Sequence, residues 1–303
     1  KTNIKVMKRL NIIIITILIC ALSQAQNPPY RNGQRLTDYN FPLFGDVKTI
    51  EYTCFSINTD TGEEYPRDTT IIRFNKNGDV EYINPYVDLT YTDVVFPTEL
   101  RFLYNNLGYN TLTREVIDYD YMDVVYDTYY TYDEDWRRIK GENYNEDGKL
   151  LYTEEYTYDR QGNLTHEKSN KGGELVVYTY DTNMNIILIE RYIGAKLVEK
   201  TNRTYNENGK LIQETTYSSN RLNEMEISET TLYSYGDNGV LISSETKSPI
   251  HEMFLQYITD SRTEITDRTI YKCDSYGNVI EETYYPNDST SPQFRIEYKI
   301  SYR

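Results

Sequence analysis

The sequence predicts an all-β protein, an elongated antiparallel sheet or open β-solenoid of tandem β-hairpins. Two observations carry that prediction. A seven-residue pattern of aromatic, Asp or Asn, two variable residues, Gly, one variable residue and an aliphatic recurs from the middle of the chain to its end. It is complete at 144–150, 158–164 and 205–211, and nearly so at 235–241 and 273–279. Between copies the chain alternates, as in Tyr152, Glu154, Tyr156 and Tyr158 against Thr153, Glu155 and Thr157, the period of a strand.

The heptad reads as a hairpin tip. Asp or Asn followed three residues later by Gly fits a type I turn, the short side chain accepting from backbone N–H groups two residues on. Gly then takes the left-handed conformation that a Cβ resists. Together these make the three-residue hairpin loop with a G1 bulge. Trp136 and Met184 stand where Gly is usual, which predicts a different geometry for those two tips.

In chain order, residues 1–25 read as an export leader. Lys1, Lys5, Lys8 and Arg9 precede an apolar run from Asn11 to Leu22, and Ser23-Gln24-Ala25 is a small-x-small cleavage pattern. The run is shorter than the roughly 20 residues of a spanning helix, so no membrane span is expected in the mature chain. Cys20 offers a lipid-anchor alternative, against which stands the bulky Ile19. Residues 26–100 form an N-terminal β region of degenerate repeats that caps the array. It includes strand signals at 47–57 and 69–74 and a heptad opening on Phe74. Residues 101–303 form the array. Its tips at Tyr132, Tyr158, Tyr180 and Tyr205 are spaced by twenty-odd residues, the signature of a stacked repeat, with weaker turns between them at the opposite end.

Composition narrows the function. The net charge of −15 becomes more negative once the leader's four basic residues are removed. Nucleic acid and anionic membrane surfaces need Lys/Arg patches and are excluded as partners. Tyr occurs 33 times against eight Phe and one Trp, which suits pleated, half-buried surfaces with a wet hydroxyl edge. Cys54 and Cys273, far apart in an elongated array, read as free buried thiols.

The heptad at 158–164, Tyr-Asp-x-x-Gly-Asn-Leu, resembles the YD repeat of Rhs-type and teneurin-type proteins, and 144–150 and 205–211 resemble it with Asn for Asp. The resemblance runs from about Tyr132 to Tyr285. It implies a β-hairpin array in a small exported YD-repeat protein, since the chain has too few repeats to enclose a payload and lacks the protease core motif. It also implies an association with carbohydrate.

Catalytic patterns are scarce. His166 and His251 fall in no metal-ligand motif, and no nucleophile elbow or phosphate loop occurs. Glu154-Glu155 and Glu281-Glu282 point to opposite strand faces and cannot act as carboxylate pairs. Asp118 and Asp120 share a face without the calcium-loop pattern, and read as a solvated strand. No enzyme activity, cofactor or metal is expected. The candidate ligand site is an aromatic platform of Tyr126, Tyr129, Tyr130 and Tyr132 with Tyr152, Tyr156 and Tyr158. The expected protein is a non-enzymatic module, periplasmic, surface-bound or secreted, that binds a glycan. The first alternative is an envelope protein as partner, bound through an acidic strand-rich edge, and the second is a carbohydrate-active enzyme.

Overall fold

A computed structural model describes residues 43–84, 99–119, 122–220, 223–237, 239–249, 264–287 and 289–303. The export leader, Asp120 and His251 lie outside them. Among the described residues eighteen strands follow one another. They are β1 (Val47–Ile57), β2 (Glu64–Phe74), β3 (Val80–Asn84), β4 (Glu99–Tyr104), β5 (Asn110–Tyr119) and β6 (Met122–Tyr132). There follow β7 (Arg138–Asn145), β8 (Leu150–Tyr158), β9 (Leu164–Ser169), β10 (Glu174–Tyr180), β11 (Ile186–Ile193) and β12 (Lys196–Tyr205). The last six are β13 (Leu211–Ser219), β14 (Met225–Tyr235), β15 (Leu241–Pro249), β16 (Glu264–Cys273), β17 (Val279–Tyr285) and β18 (Phe294–Tyr302).

Each strand pairs antiparallel with its sequence neighbours, and β1 pairs with β18 from Val47↔Tyr302 to Ser56↔Phe294. The sheet is therefore a closed up-and-down barrel. This corrects the expected elongated sheet or open solenoid, and the N-terminal strands are part of the wall, not a cap. The local prediction of hairpins holds, but hairpins alone do not fix curvature. Most tips carry a register shift, as between Thr157 and Tyr158, and each such bulge bends and twists its pair, which favours closure.

The tips hold the predicted chemistry. At 158–164, Gly162 N–H donates to the Asp159 carbonyl at 3.2 Å, while the Asp159 carboxylate accepts from Gln161 and Asn163 N–H, each at 2.8 Å. The Asn163 side-chain amide also donates to this carboxylate at 2.9 Å, and that bond first, then the backbone N–H groups, holds the Asp159 carboxyl below its ordinary pKa. Trp136 and Met184 do not depart from this geometry, contrary to expectation. Both take left-handed φ, 59° and 65°, and close the same N–H to carbonyl bonds as the Gly tips.

The heptad Tyr ties successive repeats together. Tyr180 hydroxyl donates to the Leu164 carbonyl at 2.8 Å, Tyr205 to Ile186 at 3.0 Å and Tyr235 to Leu211 at 2.8 Å. Each bond runs from the first residue of one heptad to the last residue of the heptad before it at the same end of the barrel. Cys273 takes the Tyr place, and its Sγ donates to the Leu241 carbonyl at 3.7 Å. Cys54 and Cys273 are not bonded to each other, and both are half-buried. Closure leaves only two strands between them, but Cys273 lies at a tip and Cys54 deep in β1 opposite Ile296.

Register also fixes the two faces, because directly opposed residues point the same way. Ile50, Ile72, Ile83, Leu100 and Glu115 form one such row, and Phe102, Thr113, Thr128, Asn143 and Tyr152 another on the same face. Nearly all the buried strand residues fall on this face. Side chains converge inside a closed barrel and splay apart outside it, so this face is the inner wall. The outer wall carries charge at mid-height, including Glu51, Arg101, Arg114, Glu142, Glu155, Lys168, Glu245 and Lys299.

Closure corrects a second expectation. The exclusion of a membrane span rested on helix length, and no helix among the described residues is long and apolar enough to cross. That says nothing about strands. A closed barrel satisfies its backbone bonds internally, which makes a strand-borne crossing geometrically available. Its outer wall sets the cost, since Arg or Lys facing lipid costs about 2–4 kcal/mol at the bilayer midplane.

Candidate functional site: an outward tyrosine cleft

The seven Tyr residues predicted as one platform are divided by the wall. Tyr126, Tyr130 and Tyr132 of β6 point inward with Tyr152, Tyr156 and Tyr158 of β8, while Tyr129 points outward opposite Leu112 and Glu142. Tyr129 is 48% exposed.

The inward group is packed around a buried arginine. Arg138, 2% exposed, places its guanidinium 3.7 Å from the Tyr130 ring centroid and 5.7 Å from that of Tyr156. Tyr156 hydroxyl donates to Glu154 at 2.7 Å and Tyr178 to Glu167 at 3.1 Å. Burial raises the pKa of Tyr152 and Tyr156 well above the usual phenol value, with the nearby Glu154 charge adding to it. Burial likewise pushes the Glu167 carboxyl up to about 7, opposed by the Tyr178 hydrogen bond. Such bonded, half-hidden rings hold the wall together, and they offer little free aromatic face.

The outward site was not legible as such. Tyr129 meets Tyr144 edge to face, with ring centroids 5.8 Å apart. Beside them Arg114 binds Asp127 through two bonds of 2.7 and 2.8 Å. Arg114, Val125, Asp127, Tyr129, Glu142, Tyr144, Asn145, Glu146 and Gly148 line an open cleft of about 660 Å³. A step in the wall makes it. The tip after β7 ends level with Tyr126, whereas the neighbouring β5–β6 hairpin runs on to Tyr119 and Met122. Sequence reasoning named Tyr129 but treated Tyr144 only as a turn residue. The signal that would have found it is position, since this tip sits at the opposite end from the other Tyr heptads.

Among the described residues no group of three or more His, Cys, Asp or Glu is placed to hold a metal ion. Glu154 and Glu155 lie on opposite faces, as do Glu281 and Glu282. His166 is exposed on the outer wall.

No family model matches the chain. No curated protein matches it either. Among solved structures it is similar to TcdB2-TccC3-Cdc42, at 12% identity and a TM-score of 0.36 over 80% of this chain, and it spans 15% of that one. It is also similar to a porin-like protein from Bacteroides uniformis, at 11% identity and a TM-score of 0.40, covering 84% of this chain and 98% of that one. A porin-like protein from Bacteroides vulgatus aligns at 11% identity with a TM-score of 0.23. At these scores the fold rests on the strand registers above, and the YD likeness remains one of heptads.

Proposed function

We propose that this protein is a non-enzymatic, exported barrel of the cell envelope that binds a glycan in the cleft beside Tyr129. The observation that carries the reading is the outward Tyr129–Tyr144 pair, Tyr129 exposed and Tyr144 half-buried, set next to the Arg114–Asp127 pair and Glu142. A tyrosine ring offers a flat apolar face to a sugar ring, and planar charged groups at its margin can bond the hydroxyls. The leader supports export, and the YD-like heptads agree with a carbohydrate role. Strand addition by a protein partner loses its support, because a closed barrel has no free edge.

The test is a glycan-array screen of residues 26–303, repeated with Tyr129→Ala. The reading expects binding to one sugar class that Tyr129→Ala reduces at least tenfold. A blank array, or binding that survives Tyr129→Ala and Tyr144→Ala alike, contradicts it.

A further inference from the structure

The hydrophobic cluster of the inner wall lies on β1 to β4, with Val279 and Tyr298 completing it. Across β5 to β9 the wall around the lumen is polar. Among the described residues its inner positions there carry three carboxylates, Glu115, Glu154 and Glu167, and one cation, Arg138, which lies against Tyr130 and Tyr156.

Asn143 sits in the middle of this stretch. It is 2% exposed and opposes Thr128 on one side and Tyr152 on the other. Its Nδ2 donates to Thr128 Oγ1 at 2.9 Å, which turns Oδ1 away from β6 and toward β8. Oδ1 itself accepts no hydrogen bond from the described residues, and a buried acceptor is seldom left so. The next inward position of β7 is Gly141, and Glu154 lies across it: a Cβ there would stand 2.9 Å from Glu154 Oε2. The missing side chain lets a carboxylate settle beside the open amide oxygen.

The chain already brings one ammonium to this place. Asn170 and Thr153 bond each other twice, at 2.8 and 3.1 Å, which ties the tip between β9 and β10 to β8. Lys171 follows the Glu154↔Ser169 pair by two residues, and its Nζ stands 5.0 Å from the Tyr152 ring centroid. Its charge opposes the burial that raises the Glu115 pKa. Lys171 is an exposed tip residue, so a dissolved cation can take the place of its ammonium.

We propose that this stretch of the inner wall binds a linear aliphatic polyamine, with one ammonium group between Asn143 Oδ1 and Glu154 beside the Tyr152 ring, and others toward Glu115 and Glu167. An amide oxygen, carboxylates and an aromatic face accept hydrogen bonds or attract cations, and an ammonium supplies donors alone. Glu154 and Glu167 keep acceptor capacity beyond the hydroxyl bonds from Tyr156 and Tyr178. Among the described residues no three acidic groups converge on a metal ion, whereas charges strung along a flexible chain match carboxylates strung across strands.

Titration calorimetry of spermine into residues 26–303 tests the site. Saturable binding is expected, weakened at least ~10-fold by Glu154→Gln, which removes the charge and keeps an acceptor for Tyr156. Glu155→Gln removes the same charge from the outer wall and should leave the affinity unchanged. Lys171→Ala should tighten binding about 3-fold by removing the competing ammonium. Absence of saturable binding overturns the proposal. So does equal weakening by Glu154→Gln and Glu155→Gln, which would mean that spermine reads only the acidic surface. Should Glu154→Gln not fold, Lys171→Ala decides alone, and an affinity that fails to rise overturns the proposal.

Discussion

The tips at 158–164 and 144–150 carry nearly the same heptad and do opposite things. Tyr158 points into the barrel with Tyr156, whereas Tyr144 points out, opposite Asp127. The difference follows from position. Strands are added around the barrel in one direction, so the rotation that carries a hairpin from one end to the other exchanges inside with outside. A chiral turn of fixed geometry must then aim its first residue inward at one end and outward at the other. The tip at 219–225 obeys the same rule. It closes with Asn223 at φ 65° at the same end as 144–150, and its first residue, Ser219, falls on the outer face opposite Met225. One motif therefore builds the wall at one end and turns its first residue, Tyr144 at 144–150, outward at the other.

The widest separation between the two settings should come from truncation. Tyr156→Ala removes a packed inner ring and should destabilise by about 3–5 kcal/mol in denaturant melts, whereas Tyr129→Ala, on the outer wall, should stay within about 0.5 kcal/mol. Similar losses for both would break the assignment of faces.

The inner wall should also show itself through pH. The Glu167 carboxyl is raised to about 7 in the folded protein, mainly by burial. A raised acid binds more protons folded than unfolded, so its stabilising contribution is full below the unfolded value near 4.5 and is lost as pH rises through 7. Wild type should lose up to roughly 3 kcal/mol relative to Glu167→Gln between about pH 4.5 and 8. Parallel pH profiles for the two proteins would place Glu167 in water.

Tip strain gives a smaller effect of predictable sign. Gly162 has φ +90° and open space where a Cβ would stand, so Gly162→Ala should cost about 1–2 kcal/mol from backbone strain alone. Met184→Gly should gain about 1 kcal/mol by relieving the same strain. Trp136→Gly should gain less, because Trp136 stacks on Tyr109 at 4.9 Å.

The smallest contrast concerns single hydroxyls. Tyr205→Phe strips the bond to the Ile186 carbonyl and should cost about 1 kcal/mol, while Tyr144→Phe, on the outer face, should be near neutral. Equal effects would remove the inter-repeat ladder as a reason for Tyr at the first heptad position.

The hairpin tips were legible because everything they need is local. Asp159, Gly162 and the alternation from Tyr152 to Tyr158 specify a turn and two strands without reference to the remainder of the chain. Closure was not legible, because it depends on β1 meeting β18, as where Thr49 Oγ1 and Ser301 Oγ touch across 252 positions. The cleft was half legible. Local clustering singled out Tyr129, but the outward direction of Tyr144 depends on which end of the barrel its turn occupies. That is a count of strands, not a property of the heptad. For the same reason Tyr126, Tyr130, Tyr132, Tyr152, Tyr156 and Tyr158 read as a platform when they line the inner wall.

Closure at the β1–β18 seam underlies the faces, the lumen and the cleft, and a disulfide trap tests it directly. Thr49→Cys with Ser301→Cys, in a chain whose Cys54 and Cys273 are Ser, places two thiols at directly opposed positions on the outer wall. The closed barrel predicts rapid intrachain disulfide formation in the monomer, with raised stability to denaturant. Free thiols after oxidation, or disulfides only between chains, would mean that β1 and β18 do not meet within one chain.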